Sequence, residues 1–136
     1  MTKEVWLNLP IKDQKRSKEF FTAIGFTFKD DRSNPTMLAM MAGAKNFPIM
    51  LFDETTFAHV MQHPVSDTTK GSEMMISFDA ESREEVDEIA EKVTGAGGNV
   101  FAPPTEIRGW MYGAAFTDPD GHRWNVLYMD MGKMPQ

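Results

Sequence analysis

Three histidines are the first candidates for acid–base or metal chemistry, because the chain contains no cysteine. His59 and His63 have the i, i+4 spacing at which two imidazoles on a helix bind zinc, but the residues between them, Val-Met-Gln, include no general-base glutamate. We interpret both as surface loop histidines. His122 follows an Asp-Pro-Asp-Gly turn, and a role as catalytic acid or base and a role as a turn-flanking residue are both open for it.

The composition restricts the class of protein. The chain has 136 residues, 41% of them hydrophobic, which suits one globular domain with a core of its own. Its net charge of −6 at pH 7 disfavours binding to the phosphates of nucleic acid. No run of about 18 to 20 apolar residues could span a bilayer, and the first residues lack the pattern of a signal peptide. We expect a cytoplasmic protein with neither nucleic acid nor membrane as a partner.

The first part of the chain reads as a strand, a helix and three further strands. Asp13 is a predicted N-cap of the helix, and Gly25 is the residue expected to stop it. The predicted strands span residues 5–9, which Pro10 ends, 26–28, 37–41 and 49–52, and the predicted helix spans residues 14–24. Residues 3–54 therefore form one predicted βαβββ module.

The second part repeats this order after a polar segment, residues 55–72, that we predict to be a connecting loop with at most one helical turn. Ser82 and Glu85 have the spacing of a capping box at the start of the second helix. The predicted strands span residues 74–78, 99–102, 113–117 and 124–129, within a module of residues 73–130. Two βαβββ modules in one domain predict an α+β fold with curved mixed sheets and a central cavity.

Several short motifs resemble those of one known family. The segment 8–13 resembles its opening signature, the segment 82–87 its second helix, and the segments 109–113 and 116–122 its final hairpin. On these motifs the chain is similar to the vicinal-oxygen-chelate superfamily of glyoxalases, bleomycin resistance proteins and dioxygenases, and within it to the predicted lactoylglutathione lyase branch. The resemblance covers nearly the whole chain.

The resemblance implies a cavity built by the two modules, often in a homodimer, where metal-using members bind one divalent ion through His, Gln or Glu. Carried onto this sequence, the ligand positions fall on Trp6, Met50, Met75 and Asn125. An indole offers no lone pair, thioethers suit Cu(I) at best, and an amide oxygen is a weak donor for Zn, Ni, Mn or Fe. We therefore expect no metal cofactor.

The assignment of these positions depends on strand register, because a slip of one residue turns a side chain to the other face of its strand. With a different register, Glu4, Glu73 and His122 become the residues that could bind a divalent metal. The simpler interpretation of the two glutamates is that they are solvated carboxylates at the ends of strands.

The residues predicted to line the cavity are mostly aromatic or thioether side chains with a few polar groups among them. Asn8 and Asn125 are amides on otherwise apolar strands, so ligand contact and hydrogen bonding to neighbouring groups are both open for them. Alternation predicts that Trp110 and Tyr112 share one face, as a cavity wall or as core. The predicted cavity residues are Trp6, Asn8, Met50, Phe52, Met75, Ser77, Trp110, Tyr112 and Asn125.

Three functions are compatible with these residues. The first is a protein that binds a small, largely apolar molecule without the usual metal, with Asn8 and Asn125 orienting the ligand. The second is a metal-dependent enzyme of the lactoylglutathione lyase or dioxygenase type, which the resemblance implies and the missing ligands oppose. The third is a non-catalytic dimeric protein whose cavity is filled by its own side chains, such as Trp6. The residues leave open whether the protein is an enzyme.

Overall fold

The structure is a computed structural model that describes residues 1–135. The chain divides into two compact units, and the boundary between Asp67 and Thr68 lies inside the segment predicted to connect the modules. Each unit contains one four-stranded mixed sheet and helices, so the α+β fold class predicted from the sequence is confirmed. None of the helices within residues 1–135 is long and apolar enough to cross a membrane.

The first unit has the predicted order of one strand, one helix and three strands. Its strands are β1 (Leu7–Ile11), β2 (Thr27–Phe28), β3 (Met37–Ala42) and β4 (Phe47–Asp53), and its helices are α1 (Gln14–Ala23) and α2 (Glu54–Met61). The strands lie in the order β1-β4-β3-β2, with β1 parallel to β4 and the other pairs antiparallel.

Helix α1 forms where its capping residues and its apolar stripe predict it. The side chain of Asp13 accepts a hydrogen bond of 3.0 Å from the backbone N–H of Arg16 and thereby satisfies one free donor of the first turn. Phe20 and Phe21 are buried on the face that the helix presents to the core. Gly25 follows the helix with φ of 107°, a left-handed conformation that glycine adopts without strain.

Two predictions for the first unit were wrong. Pro10 does not end β1 but lies within it, opposite Phe52, which is possible because β1 is an edge strand and lacks a second neighbour that would need the missing N–H. The segment after β4 contains the eight-residue helix α2, whose N-cap Asp53 accepts a hydrogen bond from the N–H of Thr56. No residue of α2 is buried, although Phe57, Val60 and Met61 have helical spacing.

The second unit repeats the topology of the first. Its strands are β5 (Met75–Ala80), β6 (Asn99–Ile107), β7 (Met111–Thr117) and β8 (Arg123–Met129), and its helix is α3 (Arg83–Gly95). The strands lie in the order β5-β8-β7-β6, which corresponds strand for strand to the order in the first unit. The predicted repetition of a βαβββ module is confirmed.

Helix α3 begins with the predicted capping box. Ser82 Oγ accepts a hydrogen bond of 3.1 Å from the N–H of Glu85, and Glu85 Oε1 accepts one of 2.8 Å from the N–H of Glu81. The helix buries Val86 and Val93 completely against the sheet. Beneath it, Trp124 lies stacked with Phe116 at a ring-centroid distance of 6.4 Å, and these rings form the centre of the core of this unit.

Strand β6 is longer than predicted, because it continues through Pro103 and Pro104. It is an edge strand, and its pairing with β7 is irregular between Val100 and Ala102 and again between Ala102 and Thr105. Irregular pairing at an edge accommodates residues that cannot donate a hydrogen bond. One consequence is a local change in the face to which the residues of β6 point.

Candidate functional site

The sheet of the second unit has one face covered by α3 and one face that this helix does not cover, which we call the open face. The burial pattern of β5 alternates, with Met75, Ser77 and Asp79 exposed on the open face. On the neighbouring strand β8, Arg123 lies opposite Met75, and Asn125 lies opposite Ser77. The open face therefore combines a cation, a carboxylate, an amide, a hydroxyl and a thioether.

A hydrogen bond joins two of the predicted cavity residues on the open face. Ser77 Oγ donates to Asn125 Oδ1 at 2.5 Å. This arrangement occupies the amide oxygen and leaves the two N–H groups of the Asn125 amide as donors. Asn125 thus offers donors to a ligand, and Ser77 fixes the direction in which they point.

Arg123 adds a positive charge to the same face. Its guanidinium carbon lies 4.4 Å from the centroid of the Phe101 ring, a cation–π contact that holds the side chain over β6. Phe101 lies at the first irregular position of β6 and is 40% exposed. Among residues 1–135, no carboxylate forms an ion pair with Arg123.

The predicted cavity residues of the first unit also share one face of their sheet. Asn8 lies opposite Met50, and Pro10 lies opposite Phe52, so Asn8, Met50 and Phe52 project on the side opposite the buried Leu9 and Leu51. Trp6 precedes β1 and is 54% exposed. This face offers one amide among apolar side chains and has no charged group at these positions.

Tyr112 does not belong with the residues of the open face. Gly113 pairs with Leu127, so alternation along β7 turns its neighbour Tyr112 towards α3. The Tyr112 hydroxyl donates a hydrogen bond of 2.7 Å to Asp87 of α3. This bond and the charge of Asp87 raise the pKa of Tyr112, since both disfavour loss of the phenolic proton. Trp110 lies in the turn before β7, where its carbonyl oxygen accepts a hydrogen bond from the N–H of Asp130, and its common face with Tyr112 stays a prediction.

The ring of Tyr112 is part of a polar network on the helix-covered side. The guanidinium carbon of Arg83 lies 5.0 Å from its centroid, and an Arg83 nitrogen lies 2.9 Å from Glu106 Oε1. The hydrogen bond and the charge of Glu106 raise the pKa of Arg83. Each charged or polar group in this network therefore has a protein partner.

Asp118 is the buried polar residue at the end of β7, with only 4% of its surface exposed. Its carboxylate accepts hydrogen bonds from the N–H groups of Asp120 and His122 and one of 3.0 Å from Trp124 Nε1. Burial raises the pKa of Asp118, although the charge of His122 and the Trp124 hydrogen bond act in the opposite direction. The prediction that the Asp-Pro-Asp-Gly segment serves as a turn is confirmed, with Gly121 at φ of 84°.

The histidines and the alternative metal ligands are dispersed. Glu4 and Glu73 precede β1 and β5, and His122 lies in the turn before β8. His59 lies in the last turn of α2 and not in a loop, and His63 follows the helix; both are exposed. Within residues 1–135, no three His, Asp or Glu side chains come together in a group that could hold a metal ion.

The residues at the metal positions of the related family do not fit a divalent ion. Trp6 has no donor atom for one, and Met50 and Met75 offer only soft sulfur. The amide oxygen of Asn125 already accepts the Ser77 hydrogen bond. We therefore derive no chemistry that passes through a metal at these positions.

Two residues of the open face were missed in the sequence. Arg123 lies two positions before Asn125, so alternation along a strand would have placed both on one face. Phe101 could not be assigned, because its contact with Arg123 depends on the irregular pairing of β6. Neither residue belongs to a motif.

Comparison with known proteins gives a consistent result. The sequence pattern of the Glyoxalase/Bleomycin resistance protein/Dioxygenase superfamily matches residues 5–126. No curated protein matches the chain.

Solved structures resemble the chain over almost its whole length. A hypothetical protein from S. aureus is 36% identical, with 94% of each chain covered and a TM-score of 0.83. A glyoxalase-related enzyme from Fulvimarina pelagi has a TM-score of 0.81 at 19% identity, with 94% of this chain and 88% of that chain covered. A glyoxalase/bleomycin resistance protein/dioxygenase family enzyme from Burkholderia phytofirmans PsJN has a TM-score of 0.78 at 19% identity, with 91% and 96% covered. By its fold and its sequence pattern, the chain belongs to the glyoxalase/bleomycin resistance protein/dioxygenase superfamily.

Proposed function

We propose that this protein binds a small organic molecule through the open face of its second sheet and does so without a divalent metal ion. The observation that carries the proposal is the Ser77–Asn125 hydrogen bond. It lies where the family resemblance expects a metal-binding glutamate, and it gives this position an oriented amide instead of a carboxylate.

The chemistry of the other positions supports the same proposal. Met75 is 47% exposed on the open face, and a flexible, polarizable thioether suits contact with ligands of varied shape. Arg123 and Asn125 provide a small number of oriented polar groups beside this apolar surface. Small-molecule sites commonly combine an apolar surface with a few polar groups that fix the ligand's orientation.

The residues predicted in the first unit form a second part of the proposal. Asn8, Met50 and Phe52 share one face of the first sheet, and Asn8 is its exposed amide. We propose that this face contacts a ligand mainly through apolar side chains, with Trp6 and the Asn8 amide at one end.

The alternative is the lactoylglutathione lyase activity of metal-using relatives. Family membership favours it, because the sequence pattern of the superfamily matches residues 5–126. This activity requires about three good ligands and an open coordination position on one metal ion. The donor atoms of Trp6, Met50, Met75 and Asn125 do not meet this requirement.

The test measures metal uptake and lyase turnover on one preparation. We expect chelator-treated protein to show no heat of tight binding on titration with Zn, Ni, Mn or Fe salts, and no isomerisation of the hemithioacetal of methylglyoxal and glutathione with any of these metals. Stoichiometric metal uptake with metal-dependent turnover would contradict the proposal and establish the lyase alternative.

The variant Asn125→Glu provides a matched control, because it restores the carboxylate that the family resemblance expects at this position. We expect it to remain free of tightly bound metal, since a single carboxylate with the Met75 thioether on the open face cannot complete a site. Tight metal binding by Asn125→Glu alone would show that a single added carboxylate is sufficient and would contradict the reason given for metal-free binding.

A further inference from the structure

We infer that the open face carries a carboxylate-binding subsite, in which the Arg123 guanidinium and the Asn125 side-chain amide together bind the acid group of a small organic acid. This inference rests on the proposed function and specifies the class of ligand. It combines three observations: a cation without an acidic partner, an amide whose donors are directed by a serine, and their common face.

Arg123 supplies the positive charge of the inferred subsite. Its guanidinium carbon lies 4.4 Å from the centroid of the Phe101 ring, and the guanidinium carries five N–H donors in one plane. A planar guanidinium matches the two oxygens of a carboxylate. Since no carboxylate of residues 1–135 pairs with Arg123, an external carboxylate is the partner that its charge and geometry fit.

Asn125 supplies amide N–H donors to the inferred subsite. Because its oxygen accepts the proton of Ser77, the groups that it presents to a ligand are N–H donors. Donors from an amide and from a guanidinium both favour an acceptor, and an anionic acceptor makes the stronger hydrogen bonds. An amine at this point would bind poorly, because its own donors would face the donors of Asn125 and Arg123 and the positive charge of the guanidinium.

The spacing allows both groups to contact one small molecule. Arg123 and Asn125 lie two residues apart on β8, about 7 Å along the strand, and their side chains share the open face. The residues opposite them on β7 are Thr117 and Ala115; the Arg123 side chain crosses β7 at Thr117 to reach Phe101, and the small Ala115 leaves room beside it, opposite Asn125. Asp79 is a carboxylate on the same face. It lies four residues along β5 from Met75, the residue opposite Arg123, which is a distance of about 13 Å along the strand.

The apolar part of the ligand follows from the neighbours of these donors. The Phe101 ring of β6 lies 4.4 Å from the guanidinium carbon, and Met75 lies opposite the Arg123 backbone on β5, so the open face around the charge presents an aromatic ring on one side of β8 and a thioether on the other. Thioethers and aromatic rings both make favourable contacts with an aromatic body. The ligand class that we infer is therefore a small aromatic or otherwise apolar monocarboxylic acid.

Benzoate and benzamide are suitable probes, because they have the same ring and nearly the same shape but differ in charge. We expect the chelator-treated protein to bind benzoate at least tenfold more tightly than benzamide, as measured by calorimetric titration. Arg123→Gln should weaken benzoate binding by tenfold or more and should leave benzamide binding unchanged.

Arg83→Gln is the matched control, since Arg83 also lies over an aromatic ring but is paired with Glu106. It should leave the affinity for benzoate unchanged. Far-ultraviolet circular dichroism should show both variants to be folded.

The outcomes separate the subsite from the proposed function. Equal affinity for benzoate and benzamide, or equal loss in the Arg123 and Arg83 variants, would overturn the carboxylate subsite and leave metal-free binding intact. Benzoate binding that requires added zinc or nickel would overturn both. A salt-sensitive preference for benzoate that disappears only in Arg123→Gln would support the subsite.

Discussion

Arg83 and Arg123 lie on different sides of the same sheet and have different surroundings. Each guanidinium lies over an aromatic ring, Tyr112 at 5.0 Å and Phe101 at 4.4 Å. Arg83 also pairs with Glu106, whereas no carboxylate among residues 1–135 pairs with Arg123. The comparison shows that the same residue type completes a salt-bridged network on one face and has a ring contact without a carboxylate partner among residues 1–135 on the other.

The difference extends to the other polar groups of the second unit. On the helix-covered side, Tyr112 donates to Asp87, and Trp124 donates to Asp118. On the open face, the hydrogen bond from Ser77 leaves the Asn125 N–H groups as donors. We therefore expect substitutions on the covered side to change stability and substitutions on the open face to change ligand binding.

The largest expected effect is on the covered side, at Asp118. Asp118→Ala removes the acceptor of two backbone N–H groups and of Trp124 Nε1, and leaves these donors without their partner beside the core. We expect the free energy of unfolding in urea to fall by roughly 3 kcal/mol. Asp79→Ala, which removes an exposed carboxylate of the open face, should change it by no more than about 0.5 kcal/mol. Equal losses would contradict the division between the faces.

The next effect concerns charge on the open face. Asn125→Asp keeps the shape of the side chain and its acceptor for Ser77, but replaces the amide donors with a negative charge. We expect benzoate to bind about tenfold more weakly or worse, which corresponds to about 1.4 kcal/mol, with stability little changed. Calorimetric titration measures the affinity. Unchanged affinity for benzoate would remove Asn125 from the subsite.

Substitutions of two serines should have smaller and opposite effects, one mainly on stability and the other mainly on benzoate affinity. Ser82→Ala removes the N-cap of α3 and should lower the free energy of unfolding by about 1 kcal/mol without changing benzoate affinity. Ser77→Ala removes the donor that orients Asn125 and should weaken benzoate binding by about three- to fivefold, with less effect on stability. Thermal unfolding and titration of both variants check the two expectations. The reverse pattern would mean that the assignment of roles is mistaken.

The smallest effect is a change in the ionisation of Tyr112. Its pKa is raised chiefly by the hydrogen bond to Asp87, so Asp87→Ala should lower that pKa towards the ordinary value of tyrosine. Ultraviolet absorbance of tyrosinate during an alkaline titration measures it, with Tyr128→Phe as background so that only one tyrosine titrates. Glu88→Ala, at an exposed position beside Asp87 on α3, should leave the pKa unchanged.

The sequence was sufficient to predict the elements whose ends and buried stripes are encoded locally. Asp13, Ser82 and Glu85 cap α1 and α3 as their spacing indicates, and the repeated order of elements follows from the two helices and their flanking strands. Helix α2 was not predicted as a full helix, because it has only eight residues, which is a short window for periodicity, and none of them is buried.

The candidate site was harder to predict from the sequence, because the face to which a side chain points depends on strand register. The alternation of Met75 and Ser77 predicted their common face, and the structure shows this pattern. The same reasoning failed for Tyr112, since the pairing of Gly113 with Leu127 reverses the face expected for it. Phe101 acquires its contact with Arg123 through irregular pairing on an edge strand, which local sequence does not specify.

The most direct test of metal-free carboxylate binding by Arg123 and Asn125 is a nitrogen–proton correlation spectrum of isotope-labelled protein titrated with benzoate in the presence of a chelator. Binding of the benzoate carboxylate by Arg123 and Asn125 predicts progressive shifts of the Asn125 side-chain amide and the Arg123 Nε–H signals, while the Arg83 Nε–H signal stays in place. Shifts that leave Asn125 and Arg123 unaffected, or that occur only after a divalent metal is added, would contradict it.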